Sequence, residues 1–245
     1  RLLHSLLQAV VKRFAKGLIT GKKMEGSGLV LHYEIDQFLG FLFQRELAYE
    51  PILQQKLSQY ITSESLIFDV GSNIGQYALW FSHLASAGKV ICFEPDHKNF
   101  AFLSFNVLSN ALNNVELCNR GLGDSISEQT FYRDTTTGGR SGSLGVEFVG
   151  DRFEGETETI KVSTLDEQIR AYGTPDFIKI DVEGFEYSVL KGLSSPSLST
   201  TFFVEVRDSS AVDVFSYFSR LGFECLMLDE KSDRPINTPH EIPGF

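Results

Sequence analysis

Leu66-Ile-Phe-Asp-Val-Gly-Ser-Asn-Ile-Gly75 is followed, one helix-length later, by Val90-Ile-Cys-Phe-Glu-Pro95. The first is an apolar run that breaks into a tight glycine turn. The second is an apolar run that closes on an acid. Two such runs separated by a helix read as a strand–helix–strand unit. Gly71 and Gly75 carry no Cβ, so the backbone there can turn sharply and approach a ligand closely. The helix expected from Gly75 aims its unpaired N–H groups at the turn, where an anionic group is welcome. This is the front half of a nucleotide-binding α/β sheet.

Outward from this unit the pattern alternates. Strands are expected at 66–70, 89–94, 115–119, 176–181, 201–206 and 223–228, and helices at 75–86, 96–110, 164–171, 185–191 and 210–221. The strands are apolar on both faces, which predicts an α/β fold: a doubly wound, mostly parallel Rossmann-like sheet covered on both sides. Asp96 is placed to cap the second helix. Residues 126–163 interrupt the alternation with two further strands, Glu128–Arg133 and Thr157–Val162. Between them lies Gly138-Gly-Arg-Ser-Gly-Ser-Leu-Gly145, read as a flap near the acceptor site, or as a solvated hairpin.

At 245 residues the chain suits one domain, 62–245, preceded by an N-terminal helical extension, 1–61, with a helix break near Pro51. Leu2, Leu3, Leu6, Leu7, Val10 and Phe14 recur at helical spacing, with Lys12, Arg13, Lys16, Lys22 and Lys23 close by. The favoured reading is a helix packed on the domain or on a second subunit of a homo-oligomer. The sharper reading is a basic amphipathic helix making peripheral contact with an anionic membrane through residues 1–24. No apolar run is long enough to span a bilayer. The net charge of −10 argues against nucleic acid as a partner. Cys92, Cys118 and Cys225 sit in apolar runs without Cys-x-x-Cys spacing, so buried reduced thiols in a cytoplasmic protein are expected. Because the chain opens on Arg1, a removed targeting segment stays open.

The turn spells Asp-x-Gly-x-Asn-x-Gly, not Gly-x-Gly-x-x-Gly. A dinucleotide pyrophosphate wants a third glycine, and none follows. The pattern points instead to S-adenosylmethionine (SAM). Its methionine carboxylate would meet the helix start. Asp69 would balance its amine, and Asn73 would donate and accept within the turn. Glu94, 19 residues beyond Gly75, would accept both ribose hydroxyls. Asp124, in Gly121-Leu-Gly-Asp124, would accept from the adenine amino group; alone it reads as a turn residue.

Taken in order, Tyr49-Glu-Pro51, Phe68–Gly75, Phe93-Glu-Pro95, Gly121–Asp124, Ser163-Thr-Leu-Asp166 and Ile178-Lys-Ile-Asp-Val-Glu-Gly-Phe-Glu186 resemble the FkbM-type SAM-dependent methyltransferases, within the class I methyltransferase fold. The resemblance covers roughly residues 45–228. Its most specific element is Lys179-Ile-Asp-Val-Glu-Gly184. It implies a seven-stranded sheet with one antiparallel edge strand. It adds Glu50 and Pro95 to the cofactor set of Asp69, Gly71, Asn73, Gly75, Glu94, Asp124 and Asp181. It also implies O-methylation of a hydroxyl on a sugar, glycolipid or polyketide-like acceptor. Arg207 stands where family members often have His.

Methyl transfer from SAM needs in-line alignment, and a sugar hydroxyl benefits from a positioned base. Asp181 ends the fourth strand and is the leading base or hydroxyl-orienting group, with Glu183 second. Lys179 would keep one of them ionised. The structural alternative makes Lys179 a buried counter-ion, Glu183 a helix cap and Glu186 a dipole partner. A divalent cation between Asp181 and Glu205 is compatible with the spacing but not demanded by it, and no metal ligand is assigned. His83, His97 and Trp80 read as surface or packing residues. Two competing readings are an NAD-type oxidoreductase, against which the glycine pattern counts, and a non-catalytic SAM-binding protein, against which Asp181 and Glu183 count.

Overall fold

The computed structural model describes residues 14–134, 142–144, 153–206, 208–228, 233–238 and 241. Expectations placed on residues 1–13, on most of the Gly138–Gly145 loop and on Arg207 lie outside them. Strands β1 (Ile19–Lys23) and β2 (Val30–Glu34) form an antiparallel hairpin, followed by helices α1 (Leu39–Leu42) and α2 (Pro51–Ser58). Then come β3 (Leu66–Val70), α3 (Gln76–Leu84), β4 (Lys89–Phe93), α4 (His97–Ser109), β5 (Val115–Cys118) and β6 (Gly121–Leu122). The long strands β7 (Ser127–Asp134) and β8 (Phe153–Ser163) follow. The chain continues through α5 (Leu165–Tyr172), β9 (Phe177–Ile180), α6 (Glu186–Lys191), β10 (Thr201–Val204), α7 (Asp208–Arg220), β11 (Cys225–Met227) and β12 (Arg234–Ile236).

The central sheet is parallel and runs β10-β9-β3-β4-β5. Alternate residues of its strands feed two cores, as parallel strands buried on both faces require. Ile67, Val90, Cys92 and Phe177 face α3 and the N-terminal hairpin. Phe68, Val70, Ile91, Ile178 and Ile180 face the layer that contributes Leu165, Val189 and Val214. Asp96 caps α4 by accepting from the amides of Lys98 and Asn99, both at 2.8 Å.

Four expectations change. The extension is not wholly helical, because residues 19–34 form the β1–β2 hairpin. Pro51 opens α2 instead of breaking a helix, since its missing N–H costs nothing at a helix start. The expected strand at 223–228 shortens to β11 and pairs antiparallel with β12, so the central sheet has five strands among the described residues, not six or seven. Cys92 and Cys118 are buried thiols, but Cys225 is only half-buried.

The hairpin is stitched to the sheet layer by two asparagines four residues apart, Asn106 on α4 and Asn110 at its C-terminal cap. Asn106 accepts from the His32 amide at 2.7 Å and donates to the carbonyls of His32 and Ile74. Asn110 accepts from the Val30 amide at 2.7 Å and donates to its carbonyl at 2.8 Å. The two amide side chains thus pair the open edge of β2 as a further strand would.

Candidate functional site

Register fixes the site. Val70 lies between Phe93 of β4 and Ile180 of β9, and Ile180 pairs in turn with Val204 of β10. The next residue on each strand therefore falls in one row along the carboxyl edge of the sheet: Glu94, Gly71, Asp181, Glu205. The ladder continues into that row. Gly71 donates to the Phe93 carbonyl at 3.0 Å, Asp181 to that of Val70 at 3.0 Å, and Glu205 to that of Ile180 at 2.9 Å. Ligands of open α/β sheets bind at this edge. A cavity of about 310 Å³ opens there, and all four residues line it.

Gly71 is the gap in the row. Its φ is +81°, and a Cβ added there would stand 1.9 Å from the Asp181 carbonyl oxygen. Only glycine lets the chain leave β3 and pass this close to β9. Asn73 continues the turn at φ 51°, a conformation asparagine tolerates. Its side-chain oxygen accepts from the Ile74 amide, and its own amide donates to Glu94 Oε2, both at 2.8 Å. The Asp96 amide donates to Glu94 Oε1 at 2.9 Å. Glu94 is 5 % exposed. Burial, with the Asp96 charge beside it, pushes its carboxyl up to about 8.

Below the row lies a buried charge centre. Lys179 is 2 % exposed. Its Nζ stands 3.4 Å from Asp69 Oδ1 and 3.4 Å from Asp181 Oδ2, and 5.2 Å from the centre of the Tyr77 ring. Burial pulls its pKa down, but the Asp181 and Asp69 carboxylates outweigh burial and hold the ammonium above its ordinary range. Asp69 corrects an expectation. It is fully buried, does not line the cavity, and sits opposite Lys179 in register. The strand runs one residue further before turning, so its side chain faces the core on the α3 side.

Across the cavity, Glu50 Oε2 accepts from the Tyr77 hydroxyl at 2.6 Å. Burial and the Glu50 carboxylate drive both Tyr49 and Tyr77 well above the usual phenol range, so both hydroxyls stay protonated donors. Glu205 is open to solvent at one end, yet burial of the remainder and the charges of Asp181 and Glu50 push its carboxyl up to about 7. Phe38, Phe41 and Phe185 supply apolar wall, and Pro95 lines the floor beside Glu94.

Glu183 lines the cavity in the left-handed region at φ 54°. Its carbonyl accepts from the Ser143 hydroxyl at 3.1 Å, so the described part of the Gly138–Gly145 loop, Gly142–Leu144, also forms wall. Among the described residues no side chain caps α6, whose N-cap position is Phe185; Glu186, buried in its first turn, accepts from the Gly184 amide at 2.7 Å and the Ser210 hydroxyl at 2.8 Å. Gly75 starts α3 at φ +101° behind the lining, packed under Leu103. Asp124 is the second correction: it is exposed, does not line the cavity, and pairs with Lys191 at 3.1 Å, which lowers its pKa. In the Gly121–Asp124 motif it is Gly121 and Leu122 that reach the cavity. His97 is exposed and meets Glu158 through Nδ1.

Tyr77 and Tyr49 are the functional candidates that sequence reasoning missed. Tyr77 lies two residues beyond Gly75 at the head of α3, and that position was the available signal. Among the described residues, no group of three or more His, Cys, Asp or Glu forms a metal-ligand set, and no helix is long and apolar enough to cross a membrane. Chemically the arrangement is an acid-rimmed, aromatic-walled cleft. It suits a ligand carrying hydroxyls and a positive centre.

Residues 69–225 match the model of the methyltransferase FkbM domain. The chain is 28% identical over 160 residues to methyltransferase sdnD of Sordaria araneosa, covering 54% of this chain and 62% of that one. It is 28% identical over 191 residues to the hexuronic acid methyltransferase AglP of Haloferax volcanii, covering 77% and 74%. The match thus spans about six-tenths of the first relative's length. A precorrin-6y C5,15-methyltransferase from Geobacter metallireducens superposes with a TM-score of 0.48 at 10% identity, over 74% of this chain and 73% of that one.

Proposed function

This chain belongs to the FkbM methyltransferase family and uses SAM, and from that premise we propose that it methylates a hydroxyl oxygen of a neutral sugar, glycolipid or hydroxylated natural product. The observation that carries the reading is the row at the carboxyl edge of the sheet: an acid, a gap at Gly71, then two acids. When bound, SAM supplies a methyl group already activated on a sulfonium. Its chemistry matches the residues present. Glu94, keeping lone pairs beyond its two backbone donors, accepts the ribose hydroxyls over Pro95. The Gly71–Gly75 turn receives the methionine end, and Glu50 offers its carboxylate to the amine. The negative rim accommodates the positive centre. Asp69 acts from beneath by fixing Lys179, and Asp124 has no part in the site.

On the acceptor side, Asp181 orients the hydroxyl, held in place by Lys179 at 3.4 Å. Glu183 is the second group within reach of it. Tyr49, Phe38 and Phe41 offer aromatic faces to the ring of a sugar, while carboxylates accept from its hydroxyls. One relative is named for a hexuronic acid. Among the described residues that line this cavity the only cation is Lys179, already shared by two carboxylates, so an acidic sugar would meet uncompensated like charge.

The test is transfer of labelled methyl from SAM to matched neutral and uronic methyl glycosides and to hydroxylated natural products. Preferential labelling of neutral hydroxyl acceptors, in an alkali-stable ether, is the expected outcome. Labelling confined to uronates, or to amines, would refute the proposal.

A further inference from the structure

We propose that Glu205 is a catalytic residue of this transfer: its carboxylate receives the acceptor hydroxyl's proton while Asp181 orients that hydroxyl. The proposal rests on the hydroxyl-acceptor reading above. It begins with register. Val204 pairs with Ile180, and the Glu205 amide donates to the Ile180 carbonyl at 2.9 Å, so Asp181 and Glu205 emerge side by side from adjacent parallel strands. Neighbouring strands lie about 4.8 Å apart. Both side chains line the same cavity. One hydroxyl can therefore sit between them.

Their environments differ, and the difference divides the labour. Asp181 has Lys179 Nζ at 3.4 Å, and that ammonium is buried with no escape to water. A carboxylate held by a buried ammonium is fixed in place and suits an orienting hydrogen bond from the acceptor hydroxyl. Glu205 makes no ion pair among the described residues. The charged groups acting on it are Asp181, Glu50 and Glu186, all negative, and Lys179. Three acids against one shared cation favour a proton on the least compensated of them, and burial adds to that, placing the Glu205 carboxyl at about 7. A base poised near neutrality combines availability with driving force. Two carboxyls side by side, one held by a buried ammonium and one without an ion pair among the described residues, are a usual setting for divided roles.

The step balances. The acceptor O–H bond breaks and its proton moves to a Glu205 carboxylate oxygen. The electron pair left on oxygen would form the new O–C bond as the methyl C–S bond breaks, and the C–S bonding pair would stay on sulfur as a neutral thioether. Glu205 then returns its proton to solvent, to which its outer end is exposed.

Two measurements test this. In the first, difference infrared titration follows carboxyl bands of the acceptor-free protein. Wild type should lose one protonated-carboxyl band around pH 7 and a second, from Glu94, around pH 8, and only the pH 7 band should be absent from Glu205→Gln. In the second, labelled-methyl transfer to methyl glucoside, galactoside and mannoside is followed against pH. Wild-type kcat/KM should rise to a plateau above about pH 7, and Glu205→Gln should lower that plateau about 100-fold or more, with Glu205→Asp recovering part. S-adenosylhomocysteine affinity should stay within about threefold in both variants. A pH 7 band that persists in Glu205→Gln overturns the proposal. So does a variant that keeps its rate within about threefold with the same pH limb. If wild type labels none of the glycosides, the acceptor reading fails for that class, and the infrared band alone decides for or against Glu205.

Discussion

Burial of the Glu94 carboxylate carries a cost that hydroxyl donors from a ligand would remove. Its carboxyl keeps its proton up to about pH 8 in the folded protein, against about 4.3 in an unfolded chain. Between those values the folded state holds a proton that the unfolded state has released, so stability of the ligand-free protein falls as pH rises through this window. Ribose hydroxyls donating to the carboxylate favour its ionised form. Binding of S-adenosylhomocysteine should therefore release a proton and tighten as pH climbs to about 8, levelling above it. Glu94→Gln should flatten that dependence and weaken binding about tenfold or more, read by calorimetry in buffers of different ionisation enthalpy. An unchanged pH profile in the variant would remove Glu94 from the ribose contact. At this scale Gly71, Asn73, Glu94 and Asp181 were legible because turn chemistry and strand ends are local. Asp69 was not: only its in-register partner Lys179, far along the chain, shows that the pair is a buried core ion pair.

Among the elements, the ends of β3 and β9 touch most closely. The Gly71 turn leaves no room for a methyl group beside the Asp181 carbonyl. Gly71→Ala should force the two strand ends apart, costing about 2 kcal/mol or more through strain at positive φ and the clash together. It should also abolish S-adenosylhomocysteine binding, because the same displacement moves Asp181. Denaturant unfolding and calorimetry on one preparation would check both; normal stability with normal binding would contradict this account of the turn. The strand–helix alternation was readable because each strand is a short apolar run between helix signals. The fate of residues 225–227 was not, since three residues carry no mark of which edge they pair with.

For the whole molecule, the extension and the sheet share one core. Leu31 and Tyr33 of the hairpin are fully buried in the same cluster as Ile67, Phe81 and Phe177. Asn106, also fully buried, links the hairpin to the carbonyl of Ile74 in the glycine turn. Asn106→Ala would leave His32 and Ile74 backbone groups unpaired, at about 1–3 kcal/mol. Urea unfolding should shift to lower denaturant as a single transition, with fluorescence and circular dichroism coincident. Two separated transitions would instead make residues 14–61 an independently folding unit.

The sequence by itself determined the parallel α/β frame, the glycine turn, the acid after the second strand and the family to which the chain belongs. Those features depend on residues close together in the chain, where periodicity and backbone freedom act. Only the tertiary structure decided that Asp69 lies beneath the site, that Asp124 lies outside it, and that Glu205 and Tyr77 lie within it. Each of those depends on strand register or helix rotation, which sets which distant charges share a low-dielectric space. The turn and the acid were written into one short stretch; the acceptor side was assembled by folding.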